Sequence, residues 1–197
     1  MKPARPSPKA STNNQLRIIG GLWRGRKLSF PDVDGLRPTG DRIRETLFNW
    51  LAPEIQDARC LDLFAGSGAL GIEALSRGAA TSVLVELDTK AAAQLKTNLE
   101  ILKGDKGRII NADVMELLRK GNTEEPYHIV FIDPPFQLKL WQAVIGALEE
   151  GNWLAENATI YIESGTEDEF APPINWQLHR DKHAGAVSYR LFYREPA

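Results

Sequence analysis

Cys60-Leu-Asp-Leu-Phe-Ala-Gly-Ser-Gly-Ala-Leu-Gly71 is an apolar run that breaks into a turn with glycine at 66, 68 and 71 and then resumes apolar character. A strand, a literal G-x-G-x-x-G and a helix in that order describe the first βα turn of a doubly wound sheet, where glycine permits a sharp turn and close approach of a ligand to the main chain. Outward from this turn, apolar runs near 59–64, 82–86, 107–111, 127–132 and 159–163 alternate with helical periodicity near 69–77, 89–102, 113–119 and 138–150. Parallel strands with crossover helices are what such a rhythm requires, and they predict a three-layer, Rossmann-like α/β sandwich. Trp176–Arg180 and Val187–Tyr193 flank a Lys-His-Ala-Gly turn region with no helix between, which predicts a terminal antiparallel hairpin.

Upstream of the sandwich, Arg17–Phe30 alternates apolar and basic residues around several glycines, the pattern of a small twisted β element. Residues 31–38 read as loop, and Thr39 is placed to cap a helix over 40–51, with Ile43, Leu47 and Leu51 as its buried stripe and Arg42, Arg44, Glu45 and Asn49 on other faces. Residues 1–15 are rich in Pro, Ser, Asn and Lys, without the apolar core of a signal peptide, and read as a disordered arm. The expected organisation is therefore an arm over 1–15, a basic β element and helix over 16–51, and a catalytic body over 52–197.

The 24 Lys/Arg and 26 Asp/Glu give a net charge of -2, an average that hides a division. Residues 1–50 hold ten Lys/Arg against four Asp/Glu, a net +6, and residues 51–197 hold fourteen against twenty-two, a net -8. A solvated basic face and a phosphate-seeking surface are both consistent with the first number. Arg17, Arg24, Arg26 and Lys27 are the candidates for phosphate contact, with Arg42 on the following helix. Trp23 can stack on an exposed base or pack beneath the hairpin, and packing is the ordinary fate of a lone Trp between strand residues. Arg42 and Arg44 lie about 200° apart on a helix, so one of them is expected to pair with Asp41 or Glu45. The single cysteine, Cys60, cannot form an internal disulfide and sits in an apolar strand as a small core residue. His128, His179 and His183 lack metal-ligand spacing, no metal is expected, and a reducing cytoplasm is the expected compartment.

Asp62 separates two ligand classes. A carboxylate at the end of the first strand, four residues before the first glycine, would repel a pyrophosphate. It suits a ligand with an α-ammonium and a sulfonium, so S-adenosylmethionine is favoured over NAD. Glu86, twenty residues beyond Gly66, can accept from a ribose diol. Asp113 can accept from the adenine amino group, cap a helix at Val114, or do both. Asp88 is expected to cap the helix that follows it.

Ile129-Val-Phe-Ile-Asp-Pro-Pro-Phe136 is a strand that stops at an acid and two prolines, at the edge of the sheet that faces the ligand crevice. Prolines fix the chain and remove two N–H donors, leaving carbonyls as acceptors beside the Asp133 carboxylate. An exocyclic NH2 has two hydrogens to offer, which Asp133 and the Pro134 carbonyl can take, aiming the nitrogen lone pair at an electrophilic methyl while Phe136 stacks on the base. Transfer places a positive charge on nitrogen that a carboxylate stabilises.

The chain resembles the bacterial 16S ribosomal RNA guanine-N2-methyltransferases. Four segments carry the resemblance: Arg17–Leu28, Leu36–Leu51, Leu61–Gly71 and Asp133–Phe136, within a likeness running from about residue 16 to the C-terminus. The glycine loop is common to a methyltransferase superfamily and Asp-Pro-Pro-Phe to amino-nitrogen methyltransferases, whereas the first two segments are specific to the narrower family. The resemblance implies a class I S-adenosylmethionine-dependent methyltransferase. It places Arg37, Thr39, Asp62, Phe64, Ala65, Gly66, Ser67, Gly68, Glu86 and Asp113 at the cofactor, and Asp133, Pro134, Pro135 and Phe136 at the methyl acceptor. It further implies a monomer acting on guanine 966 of 16S rRNA, presented by the assembled small ribosomal subunit or a late assembly intermediate with ribosomal proteins near the target. The competing readings are adenine-N6, cytosine-N4 or protein-glutamine methylation, an NAD oxidoreductase, and a noncatalytic RNA-binding assembly protein.

Overall fold

Side chains alternate between the two faces of a strand, so the continuous apolar runs give the central strands two faces to bury, and the chain satisfies both by laying helices on either side of a sheet. In the computed structural model, which describes residues 14–34, 36 and 39–196, seven strands pair in the order β5-β4-β3-β6-β7-β9-β8. β3 (Arg59–Asp62), β4 (Thr81–Glu86), β5 (Gly107–Asn111), β6 (Tyr127–Ile132) and β7 (Leu154–Gly165) are parallel. β8 (Trp176–Ala184) and β9 (Val187–Arg194) form the expected hairpin, which joins through an antiparallel ladder between β9 and β7. A second, two-stranded sheet pairs β1 (Asn14–Arg17) with β2 (Lys27–Phe30).

One face of the large sheet, including Leu61, Val83, Val85, Val130, Ile132 and Ile160, packs on α4 (Val114–Arg119) and α5 (Trp141–Glu150). The other packs Cys60, Ile129, Phe131 and Tyr161 against α1 (Asp41–Leu51) and Leu70 and Ala74 at α2 (Gly71–Ser76). α3 (Thr89–Leu102) contributes Leu95, Leu99 and Leu102 to a third cluster with Leu84, Ile72 and, from the N-terminal element, Ile18 and Leu28. The N-terminal segment is thus packed into the same core. Asp88 caps α3 by accepting from the Ala91 N–H at 2.8 Å. Cys60 is fully buried, and burial pushes its thiol far above the ordinary range, as suits a core residue. No described helix is long and apolar enough to cross a membrane.

Several boundaries differ from the sequence reading for physical reasons. β7 extends beyond 159–163 to Gly165 because its antiparallel partner β9 holds it in register as far as Val187. α5 starts at Trp141 rather than 138, since Phe136–Leu138 forms a 3-10 turn that ends at a left-handed Lys139. β8 continues through Lys182 and His183, which confines the turn to Gly185 and Ala186. Thr39 does not cap α1: the N-cap is Gly40, without a side-chain bond, and the Thr39 hydroxyl is drawn instead to two buried acids. Arg44 does not face solvent. It is 1% exposed, its Nη2 donating to Asp41 Oδ1 at 2.6 Å and to the Arg17 carbonyl at 2.9 Å. The pairing with Asp41 matches the expectation, but this side of α1 meets the N-terminal segment and α2 rather than water. Of the reading of residues 1–15 as a disordered arm, residues 1–13 lie outside the described residues, and Asn14 and Gln15 are instead strand, paired with Phe30 and Ser29.

Candidate active site

β3 neighbours both β4 and β6, so the chain leaves β3 in one direction and returns on the other side of it, creating a topological switch point with a crevice at the carboxyl ends of the strands. A crevice of about 1260 Å³ opens there. Among its described lining residues are Thr39, Asp62, Phe64, Ala65, Gly66, Ser67, Glu86, Asp113, Asp133, Pro134, Pro135 and Phe136, so most of the expected site is brought together. Arg37 lies outside the described residues. Gly68 does not line the crevice. It has φ +85°, and a Cβ there would stand 2.6 Å from Ile72 Cδ1 and 2.7 Å from Leu95 Cδ2, so glycine serves the seating of the loop on its helices. Gly71 brings α2 onto the sheet, since a Cβ would meet the Leu84 side chain at 2.7 Å.

Two carboxylates hold the glycine loop. Asp62 Oδ2 accepts from the Gly71 N–H at 2.9 Å, and Glu86 Oε2 accepts from the Gly66 N–H at 2.7 Å while its Oε1 takes the Asp88 N–H at 3.0 Å. Asp62 is 1% exposed and its Oδ1 is buried without a hydrogen-bond partner. Burial pushes its carboxyl up to about 7, with the nearby Glu86 charge adding to the rise and the Gly71 and Phe64 N–H groups opposing it. Asp113 caps α4 by accepting from the Glu116 N–H at 3.0 Å and also lines the crevice, so the cap and the ligand position coincide.

Across the crevice, Asp133 follows β6 and accepts from the Thr39 hydroxyl at 3.3 Å. The Pro135 carbonyl is taken by the Leu138 N–H at 3.1 Å, whereas among the described residues no donor reaches the Pro134 carbonyl, which stays available as the expected acceptor. Phe136 is backed by Trp141 at 5.8 Å between ring centroids. Burial pushes the Asp133 carboxyl well above its ordinary range, and the charges of Glu163 and Asp62 push it the same way against the Thr39 hydrogen bond.

Glu163 is a crevice residue that sequence reasoning missed. It is 6% exposed, lines the crevice, and its Oε2 accepts from Tyr161 at 2.9 Å and from Thr39 at 3.4 Å. The signal was available: Glu163 ends the apolar run Thr159-Ile-Tyr-Ile as Asp62, Glu86 and Asp133 end theirs. Leu36 and Ile43 also line the crevice.

Seven acids, Asp34, Asp62, Glu86, Asp88, Asp113, Asp133 and Glu163, face this space, and none of its described lining residues is Lys, Arg or His. Nor do the described acids converge on a metal-binding arrangement. An unscreened phosphate would be repelled from every side, whereas a cation, an amine and a ribose diol find acceptors. The orphaned Asp62 Oδ1 is a buried acceptor awaiting such a donor.

This fold and crevice define a class I methyltransferase of the S-adenosylmethionine-dependent type. The chain belongs to the family described as conserved hypothetical protein 95, whose model matches residues 16–193. It is 55% identical to ribosomal RNA small subunit methyltransferase D of Escherichia coli, over 95% of this chain and 94% of that protein, and 47% identical to the Haemophilus influenzae protein of the same name, over 92% and 95%. A solved structure, the putative methyltransferase yhhF from Escherichia coli, superposes with a TM-score of 0.85 at 55% identity, covering 93% of this chain and all of that one. The family resemblance carried by the four sequence segments is borne out.

Proposed function

We propose that the protein transfers the methyl group of S-adenosylmethionine to the exocyclic N2 of a guanine in small-subunit ribosomal RNA, guanine 966 of 16S rRNA, with the assembled subunit as substrate. The observation that carries this reading is the pairing, in one crevice whose described lining residues include seven acids and no Lys, Arg or His, of the Asp133–Pro134 acceptors with the Asp62–Gly66–Glu86 cradle. The relatives named ribosomal RNA small subunit methyltransferase D support the RNA substrate. When bound, the cofactor supplies an electrophilic methyl on a sulfonium centre. Asp62 Oδ1 and the Glu86 carboxylate hold its ammonium and ribose hydroxyls, and Asp113 takes the adenine amino group. Asp133 and the Pro134 carbonyl accept the two guanine N2 hydrogens, and Phe136 stacks on the base, which must leave its neighbours to enter.

Arg17, Arg24, Arg26, Lys27 and Arg42 are exposed and form no ion pair among the described residues, and they are proposed as the phosphate-contacting surface. Trp23 is half-buried against the Ile18–Leu99 cluster, with its main-chain N–H donating to Ser76 Oγ at 3.0 Å, and anchors that surface.

A methyl-transfer assay on unmethylated assembled small subunits, free ribosomal RNA, DNA and protein, followed by mass mapping of the product, tests the reading. The expected result is N2-methylguanine in subunit RNA. Label in DNA or protein alone, or on adenine N6 or cytosine N4, overturns it.

The carboxyl of Asp62 near 7 gives a pH signature. A cation at Oδ1 favours the ionised form, so binding expels a proton. Affinity for S-adenosylmethionine is expected to rise between pH 6 and 8, approaching tenfold per unit below about pH 7. Calorimetry in buffers of different ionisation enthalpy reads the proton directly. Asp62→Asn is expected to bind more weakly and to lose this component of the slope; an unchanged slope in the variant would remove Asp62 from the cation site.

A further inference from the structure

Glu163 is a buried acid that the transfer described above does not use. It faces the same hydroxyl as Asp133: Thr39 Oγ1 stands 3.3 Å from Asp133 Oδ2 and 3.4 Å from Glu163 Oε2. A threonine hydroxyl has one hydrogen to donate and lone pairs to accept with. Both contacts become full hydrogen bonds together when one carboxyl is protonated and donates to Thr39 while Thr39 donates to the other. A chain Asp133–Thr39–Glu163 carrying one acidic proton meets that condition, and the Tyr161 hydroxyl completes it at Glu163.

The surroundings keep this proton in place. Facing Glu163 are Tyr161 on its own strand, Tyr189 opposite it on β9, Asp133 at the end of β6 and Thr39 before α1, with Asp62 beyond Asp133. From α5 the Trp141 indole reaches only the Glu163 main-chain carbonyl, at 2.9 Å. Among the described residues no cation neutralises the cluster. Two like charges held this close in a buried site do not both ionise readily. Burial accordingly raises both carboxyls, Asp133 further through the charge of Glu163.

We propose that Glu163 is a positioning residue for the acceptor step: through the Thr39 hydroxyl it shares one proton with Asp133, and by holding that proton it leaves Asp133 ionised to take the one given up by the methylated amine. This rests on the amino-group methylation proposed above. As the N2–methyl bond forms, the methyl–sulfur bond breaks and its electron pair stays on sulfur, leaving N2 positive. N2 then passes one hydrogen to Asp133 Oδ as a proton. At that point the shared proton is on Glu163, which donates to Thr39 Oγ1 while the Thr39 hydrogen is donated to Asp133, so both carboxyls end neutral beside the neutral product. The pair discharges its extra proton to water when the site opens.

The test is the pH profile of kcat/KM for methyl transfer, with cofactor affinity measured alongside. Glu163→Gln keeps the shape and removes the like charge, so Asp133 ionises more readily and the acid limb moves down by about one pH unit, with a lower plateau because the proton acceptor is weaker. Thr39→Val removes a donor to ionised Asp133 and moves the limb the opposite way. Glu163→Asp retains the charge and keeps the limb near its wild-type position. A limb unmoved in both Glu163→Gln and Thr39→Val, or moved in the same direction by both, overturns the proposal. Carbon-13 NMR titration of the Asp133 carboxyl in wild type and Glu163→Gln reads the same coupling without turnover: a midpoint that falls in the variant supports it, and an identical midpoint overturns it. If wild-type protein methylates no amine, the functional reading fails, and the NMR titration still decides whether the pair exists.

Discussion

Asp133→Asn is expected to lower kcat for methyl transfer by about 10²–10³-fold while leaving S-adenosylmethionine affinity within a few-fold of wild type. The amide is isosteric and its oxygen can still accept from Thr39, so position and shape survive. Two things are lost. The positive charge that develops on the acceptor nitrogen no longer has a carboxylate beside it, in a site where burial strengthens every charge interaction and no described lining residue is a cation. The amide also cannot take the proton afterwards. Because Asp133 lies across the crevice from the Gly66 loop, the effect belongs to turnover and not to cofactor binding. Single-turnover kinetics on unmethylated subunits, paired with calorimetry, separate the two. A variant with wild-type kcat would show that the carboxylate charge plays no part, and a matching loss of cofactor affinity would move Asp133 to the cofactor's side of the crevice.

Features set by neighbours in the chain were legible in the sequence. The glycine run and the βα rhythm are periodic patterns over a few residues, and the strand ends at Asp62, Glu86 and Asp133 stand where an apolar run stops. Asp88 and Asp113 cap helices as their positions imply, because an N-cap bond spans three residues. What failed depended on contacts between distant segments. Thr39 has the chemistry of a cap, but two acids 94 and 124 residues away compete for its hydroxyl. Arg44 sits on the polar side of an amphipathic pattern, yet that side is covered by a segment that precedes the helix. Gly68 belongs to a ligand-binding pattern and proves to be required by the packing of Ile72 and Leu95. Residue type stated what each group could do, and tertiary packing selected among the possibilities.

Glu73 shows the same dependence on distant contacts, and its loss is expected to have the largest effect on stability. It lies in the first turn of α2, directly after the glycine loop, and is 1% exposed. Its carboxylate accepts from the Ile19 N–H at 3.1 Å, the Gly20 N–H at 2.9 Å and Arg77 Nε at 2.9 Å, with Arg44 Nη1 3.5 Å away. About one turn further along the same helix, Ser76 continues the seam by donating to the Gly20 carbonyl and accepting from the Trp23 main-chain N–H. Arg44 is poorly satisfied otherwise, since its Nε and Nη1 are buried without hydrogen bonds, so it leans on the Glu73 charge. Glu73→Gln retains the shape but leaves a buried guanidinium short of counter-charge, and the expected loss is about 3–5 kcal/mol. For a domain of this size that lowers Tm by roughly 6–20 °C. The loss should concentrate where the seam is: hydrogen exchange at Ile19, Gly20 and Trp23 should quicken more than in β3 or β6. A double-mutant cycle isolates the charge, because Arg44→Met should cost less in the Glu73→Gln protein than in wild type once the guanidinium has lost its buried counter-charge and keeps only the exposed Asp41. Additive losses, or uniform exchange across the sheet, would mean that Glu73 fills space without holding the N-terminal segment to the cofactor loop.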